Sequence, residues 1–199
     1  MRIVVPSIEL YIDKSPLEVY KSIERAGRIC YKSENKTTEE SYDTFIRGIM
    51  KRGHEAVIEH EKVTVKIICD RGVTHELVRH RLASYCQEST RYVNYKEGIE
   101  VIEPPFETAW QKSKWHWAML RAEEAYRDLV NDGVKPQIAR GVLPNSLKTE
   151  IMVTFNLREW RHFFKLRCAP TAHPQMREVA NMILKEMKNY IPLFFEDIS

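Results

Sequence analysis

The sequence predicts an α+β domain, a small and mostly antiparallel sheet packed by helices of unequal length. Period-2 alternation occurs at two well-separated places, Val63–Ile67 and Ile151–Phe155, as half-buried strands require. Helix-opening signals precede stretches of very different length, so the strands and helices do not form a regular βαβ series. The chain of 199 residues is 43% apolar and 30% charged, without repeats, low-complexity tracts or Gly/Ser linkers, and is expected to be one domain over residues 1–199.

The elements follow in order. Arg2–Val5 is a short strand stopped by Pro6. Ser15-Pro16-Leu17-Glu18 is a capping box with proline at the first helical position, opening a helix to about Cys30. Thr37-x-x-Glu40 opens a second helix, with Tyr42, Phe45, Ile46, Ile49 and Met50 on one face and Gly53 as its stop. After the Val63–Ile67 strand, Asp70-Arg71-Gly72 turns the chain into a short helix from Thr74 to Leu82, and the polar, aperiodic Ser84–Thr90 is expected as a loop. A long helix runs from about Trp110 to Asn131, carrying the stripe Trp115, Ala118, Met119, Ala122, Ala125, Tyr126 and Leu129, and Gly133 closes it. Pro136 starts a short helix carrying Arg140. The Ile151–Phe155 strand feeds a helix through a further capping box, Asn156-x-x-Glu159. Pro174 begins the last helix, buried through Met176, Val179, Ile183, Leu184 and Met187.

Several function classes are disfavoured at once. The net charge of +3 argues against a dedicated polyanion binder. No apolar run approaches the ~18 residues of a membrane span, and Met1–Leu10 lacks a signal-peptide core, so the expected address is the cytoplasm. Cys30, Cys69, Cys86 and Cys168 are scattered and suit free thiols in a reducing compartment. The glycines form neither a G-x-G-x-x-G fingerprint nor a Walker A loop, so any nucleotide must be held by other means.

Arginine is segregated from lysine. No lysine lies between Lys66 and Lys96, whereas Arg71, Arg79, Arg81 and Arg91 all do. Arginine alone suits planar, bidentate recognition of phosphate or carboxylate. Surface salt bridges would explain four arginines equally well, but not their setting. Arg79-His80-Arg81 is followed by Gln87, Glu88, Ser89, Thr90 and Arg91, a run of short hydrogen-bonding groups ending in another guanidinium. The triplet lies at the end of the short helix, where its members fan out by about 100° each, so Arg79 and Arg81 serve different partners. A second cationic group is Arg140, Arg158, Arg161, His162 and Arg167, with Arg158 and His162 one helical turn apart.

Metal and nucleophile readings are weak. His54-Glu55-Ala56-Val57-Ile58 and His75-Glu76-Leu77-Val78-Arg79 each lack the second histidine of H-E-x-x-H, and no metal is expected. Ser84 and Ser89 lack a G-x-S-x-G elbow, and Cys86 lacks a legible orienting partner.

Arg79-His80-Arg81, seven residues, then Ser89-Thr90-Arg91 resembles the R-H-R-x7-S-x-R signature of the flavin-dependent thymidylate synthases. Further matches are Gly53-His54-Glu55 with Glu59-His60, Arg140-Gly141-Val142-Leu143-Pro144, Asn156-Leu157-Arg158 and Leu166-Arg167, so the resemblance covers most of residues 40–180. It implies a homotetramer with active sites at subunit contacts, FAD as cofactor, and dUMP, methylenetetrahydrofolate and NADPH as substrates. It implies a flavin set of His54, Ala56, Arg79, His80, Arg81, Gln87, Asn156, Arg158 and His162. The implied dUMP set is Glu76, Arg79, Gln87, Glu88, Ser89, Thr90, Arg91, Arg140 and Arg167, with Arg167 catalytic, stabilising negative charge on the uracil ring. Two positions depart from the family's commoner pattern. Glu76 replaces a usual glutamine and is expected to pair with Arg79 or carry a proton, and Ala56 replaces a small hydroxyl residue, leaving only backbone for a flavin contact there.

Two other classes compete with the enzyme. A nucleic-acid-binding module using Arg79–Arg91 conflicts with the modest net charge and lacks a recognisable motif. An arginine-rich oligomer interface without catalysis explains diverging guanidiniums but not Gln87 and Ser89 between them.

Overall fold

The structure, a computed structural model, describes residues 1–198. Six strands and seven α-helices alternate irregularly: β1 (Arg2–Val4), β2 (Ser7–Tyr11), α1 (Pro16–Tyr31), α2 (Ser41–Lys51), β3 (Lys62–Asp70), α3 (Arg71–Leu77), β4 (Ala83–Gln87), β5 (Glu100–Ile102), α4 (Ala109–Asn131), α5 (Pro136–Ala139), β6 (Lys148–Asn156), α6 (Leu157–Arg167) and α7 (Pro174–Tyr190). This is the α+β class expected. A four-stranded sheet has the order β2-β3-β6-β4. Glu61 accepts from Leu157 N and the Thr64 and Thr154 hydroxyls meet at 2.8 Å, so β3 and β6 run in opposite directions. β1 and β5 form a separate parallel pair. Strands β2 and β5 had no usable sequence signal, being short and weakly patterned.

The chain forms two compact units. The first comprises Met1–Ser7, Ile67–Arg79 and Cys86–Met152; the second comprises Ile8–Lys66, His80–Tyr85 and the chain from Val153 onward. In the first unit, Ile99, Val101, Met119 and Leu147 make a small core, with Tyr95, Trp115 and Leu143 packed on it. The second unit has the larger core. Trp160 is fully buried with its ring centroid 4.5 Å from Phe155, 5.5 Å from Phe163 and 5.6 Å from Phe164. Its indole N–H donates to the Val63 carbonyl, so the polar edge of a large apolar side chain is satisfied inside the core. The five α7 positions expected to be buried are all buried.

Local chemistry explains most element ends. Ser15 and Glu18 form the expected capping box on α1. At Gly27, a Cβ would come within 2.5 Å of the Phe45 ring, so any other residue here would have to push that ring aside. Gly53, at φ +70°, ends α2 in the left-handed region, as read from sequence. The long helix α4 carries a capping box, Thr108 with Gln111, that sequence reading passed over.

Three expectations fail. Thr37 does not cap α2: Glu40 is the N-cap residue without a side-chain cap, and the Ser41 hydroxyl instead bonds Glu24 and Thr38. The third helix begins at Arg71, where the Asp70 carboxylate accepts from Val73 N, and it ends at Leu77 rather than Leu82. Arg79-His80-Arg81 therefore lies beyond the helix, and the 100° fan does not apply to it. Residues Ser84–Gln87, expected as loop, belong to strand β4, which pairs at a sheet edge and is only half-buried, so its side chains carry no apolar alternation. No helix among the described residues is long and apolar enough to cross a membrane.

Candidate active site

The implied site residues divide by unit. Glu76, Arg79, Gln87, Glu88, Ser89, Thr90, Arg91 and Arg140 belong to the first; His54, Ala56, His80, Arg81, Asn156, Arg158, His162 and Arg167 belong to the second. The dUMP set, apart from Arg167, thus gathers in one unit. The flavin set, apart from Arg79 and Gln87, gathers in the other.

In the first unit, β4 delivers Gln87, whose amide nitrogen donates to Thr74 at 3.0 Å and Thr149 at 3.3 Å. Both hydroxyls are on well-buried residues of α3 and β6, so the amide is fixed in orientation. Sequence reading had no means of pairing residues this far apart. Glu88 is clamped: its main-chain N–H donates to the Glu150 carbonyl at 2.8 Å, and its carboxylate accepts from Tyr95 at 2.7 Å. Lys148 lies 3.6 Å from the same carboxylate, so β6 supplies the lysine that the local sequence lacks. Glu88 is thus held within the fold by Tyr95 and Lys148. Burial and this hydrogen bond push the Tyr95 hydroxyl above its ordinary range.

Ser89 starts a turn, its carbonyl accepting from Tyr92 N and Val93 N and its hydroxyl from Arg91 N. Thr90 is buried and accepts from the Arg140 guanidinium at 3.2 Å, joining the signature loop to the 3₁₀ turn Arg140–Val142. Arg79 is exposed, and its main-chain N–H donates to the Glu76 carbonyl at 3.2 Å. Arg91 is exposed and stands over the Tyr92 ring at 5.6 Å.

In the second unit, the most buried of the implied residues is His80. Its Nδ1 lies 2.9 Å from the Glu159 carboxylate, and Arg167 Nε donates to its Nε2 at 3.2 Å. Tyr85 donates to the His80 carbonyl at 2.6 Å, and Phe163 packs edge-on against the ring. Burial, and then the Arg167 charge, hold the imidazole below the ordinary histidine range; Glu159 pulls the other way. Burial raises the Tyr85 hydroxyl in turn.

Glu159 departs from its expected role. Asn156 caps α6 by accepting from Glu159 N at 2.8 Å, but the Glu159 carboxylate turns to His80 instead of closing the box. Arg161 departs too. It is buried, held by Glu55 at 3.1 Å, by Asp197 at 2.7 Å and by the Phe194 carbonyl, and it serves the fold, not an incoming ligand.

Arg158 is half exposed and bonds Glu59 at 2.6 Å. It joins Glu55, Glu59, Leu82, Asn156, Glu159, His162 and Lys165 in lining a cleft of about 450 Å³. His54 is exposed and meets the Tyr31 hydroxyl at 2.6 Å, a partner that sequence reading missed. Ala56 and Arg81 are exposed. A nucleotide cofactor fits this donor set. The side chains of Arg158 and Lys165 remain 51% and 56% exposed despite their carboxylate partners, so their charges stay open to phosphate.

His80, Glu159 and His162 also bring ligand atoms within 4.8 Å of one another, a grouping that motif spacing did not foresee. A cation there would lie close to the Arg167 guanidinium, which already donates to His80 Nε2, and this disfavours it. Cys86 is exposed on β4, whereas burial lifts the Cys168 thiol to about 11.

The family model described as "Thymidylate synthase complementing protein" (Thy1) matches residues 14–193. The chain belongs to this family. Among its relatives, a flavin-dependent thymidylate synthase of Geobacter sulfurreducens is 40% identical over 182 residues, spanning 86% of this chain and 78% of the relative. One from Pyrococcus furiosus is 38% identical over 186 residues, spanning 87% and 75%. A crystal structure of a UMP/dUMP methylase from Streptomyces cacaoi, bound with 5-bromo-dUMP, superposes with a TM-score of 0.82 at 24% identity, covering 98% of this chain and 96% of that one. That likeness establishes a shared fold. Membership of the flavin-dependent thymidylate synthases, an enzyme family, agrees with the sequence resemblance.

Proposed function

We propose that this chain makes dTMP from dUMP by reductive methylation, with methylenetetrahydrofolate as carbon donor, NADPH as reductant and FAD as cofactor. The observation that carries the reading is the gathering of the family's motif residues into two sets, each with arginines open to phosphate, in a chain of this family. Residues 1–199 act as one synthase domain in the cytoplasm, assembled as a homotetramer whose sites are completed at subunit contacts.

In this reading Arg79, Arg91 and Arg140 hold the nucleotide phosphate, with Ser89 and Thr90 shaping the loop beneath them. Thr74 and Thr149 occupy the Gln87 amide donors, leaving its Oε1 as an acceptor for an N–H of the base. Arg158, together with Arg81 and His54 of the flavin set, takes the flavin's anionic part, displacing Glu59. Flavin, when bound, supplies the reducing equivalents that complete the methyl group. Arg167 stabilises negative charge that develops on the uracil ring, a role in which a preoriented guanidinium far exceeds a mobile ammonium.

Incubation of the purified protein with FAD tests this directly. An oxidised-flavin absorbance band should co-migrate with a tetramer on gel filtration; a protein that stays colourless contradicts the cofactor assignment.

A further inference from the structure

Arginine can only donate hydrogen bonds. Because Arg167 Nε donates to His80 Nε2, that nitrogen must carry a lone pair. The proton of the neutral ring then sits on Nδ1, where it is donated to Glu159. The ring is 5% exposed and Glu159 is 7% exposed, so neither partner is readily replaced by bulk water. Asn156 alone caps α6, which frees the Glu159 carboxylate for this contact. Tyr85 fixes the His80 main chain from the other side.

We propose that Glu159 is a positioning residue, which selects the Nδ1–H tautomer of His80 and thereby turns His80 into the acceptor that aims Arg167. Without an acceptor at position 159, the Nδ1 proton is buried and unsatisfied, and moving it to Nε2 sets an N–H against the Arg167 N–H. The Nε contact that helps to orient the guanidinium is then lost. The catalytic consequence rests on the reading of Arg167 under Proposed function; the tautomer assignment does not.

The test uses histidine-selective ¹⁵N labelling of the intact protein, with the His80 signals assigned by loss in His80→Gln. The wild type should show a protonated Nδ1 and a bare Nε2, and Glu159→Ala should lose that pattern. In steady-state assays with dUMP, Glu159→Ala should lower kcat on the order of 10–100-fold, while flavin content and the KM for dUMP stay within about twofold. Glu159→Gln keeps an acceptor and should retain the tautomer with about a fivefold loss of kcat. It serves alone if Glu159→Ala does not fold. A wild-type ring protonated on Nε2 overturns the proposal whatever the protein's activity. So does a variant that loses the tautomer yet turns over normally, or one in which kcat falls only in step with flavin content, as a merely structural role requires. A wild type that shows the tautomer but forms no dTMP defeats the synthase reading and the effect assigned to Arg167, while leaving the Glu159–His80 geometry upheld.

Discussion

Two arginines from each unit differ in what holds them. In the first, Arg140 bonds a neutral hydroxyl and Arg91 lies over an aromatic ring, so their charges are left uncompensated. In the second, Arg158 and Arg161 bond carboxylates, and Arg161 is buried besides. The difference teaches how each region meets an anion. The first offers net positive charge to a phosphate from the outset. The second must exchange a resident carboxylate for the ligand, so shape and hydrogen bonding contribute more there than long-range attraction. Arg167 adds a third kind of contact, its Nε donating to an imidazole nitrogen.

Arg167 should give the largest effect. Arg167→Ala is expected to reduce kcat on the order of 10²–10³-fold with flavin content retained, and Arg167→Lys nearly as much because the fork is lost. Equal loss of turnover and flavin would make Arg167 a cofactor anchor instead. Next comes Arg161 against Arg158, two arginines three residues apart. Arg161→Ala leaves Asp197 and the Phe194 carbonyl without their donor and should destabilise the fold by about 3 kcal/mol in urea titration. Arg158→Ala should leave the urea midpoint unchanged and weaken FAD binding about tenfold. The reverse pattern would break the distinction between fold-bound and ligand-facing arginines.

Salt separates the units more gently. Raising ionic strength should weaken dUMP binding more steeply than FAD binding in parallel titrations, because Arg140 bonds a neutral hydroxyl whereas Arg158 is bonded to Glu59. The smallest effect concerns pH. The groups facing His80 are Glu159, Arg167, His162 and the Tyr85 hydroxyl. Its folded pKa lies below the unfolded value, so the unfolded chain binds the extra proton first. Stability should therefore fall as pH drops below about 6.5 and level off below the folded value, and His80→Gln should flatten that slope. Unfolding curves at several pH values would measure it.

The residues show what was legible beforehand. Caps and alternation are local, so Ser15/Glu18, Gly53, β3, β6 and α7 could be read from the sequence. The end of α1, expected at about Cys30, falls at Tyr31, with Lys32 as a left-handed cap where glycine is usual. The signature residues were legible as identities but not as geometry. Gln87 with Thr149, and His80 with Glu159, are pairs separated by 62 and 79 residues, and only the folded chain brings them together. Glu159 was the costliest misreading, since a capping-box spacing is equally satisfied by a carboxylate that faces elsewhere.

The central claim is the chemistry itself. The purified protein incubated with dUMP, methylenetetrahydrofolate, NADPH and FAD, with products separated by chromatography, should form dTMP only when all four are present. Formation of no dTMP by a folded, flavin-loaded protein would contradict the account.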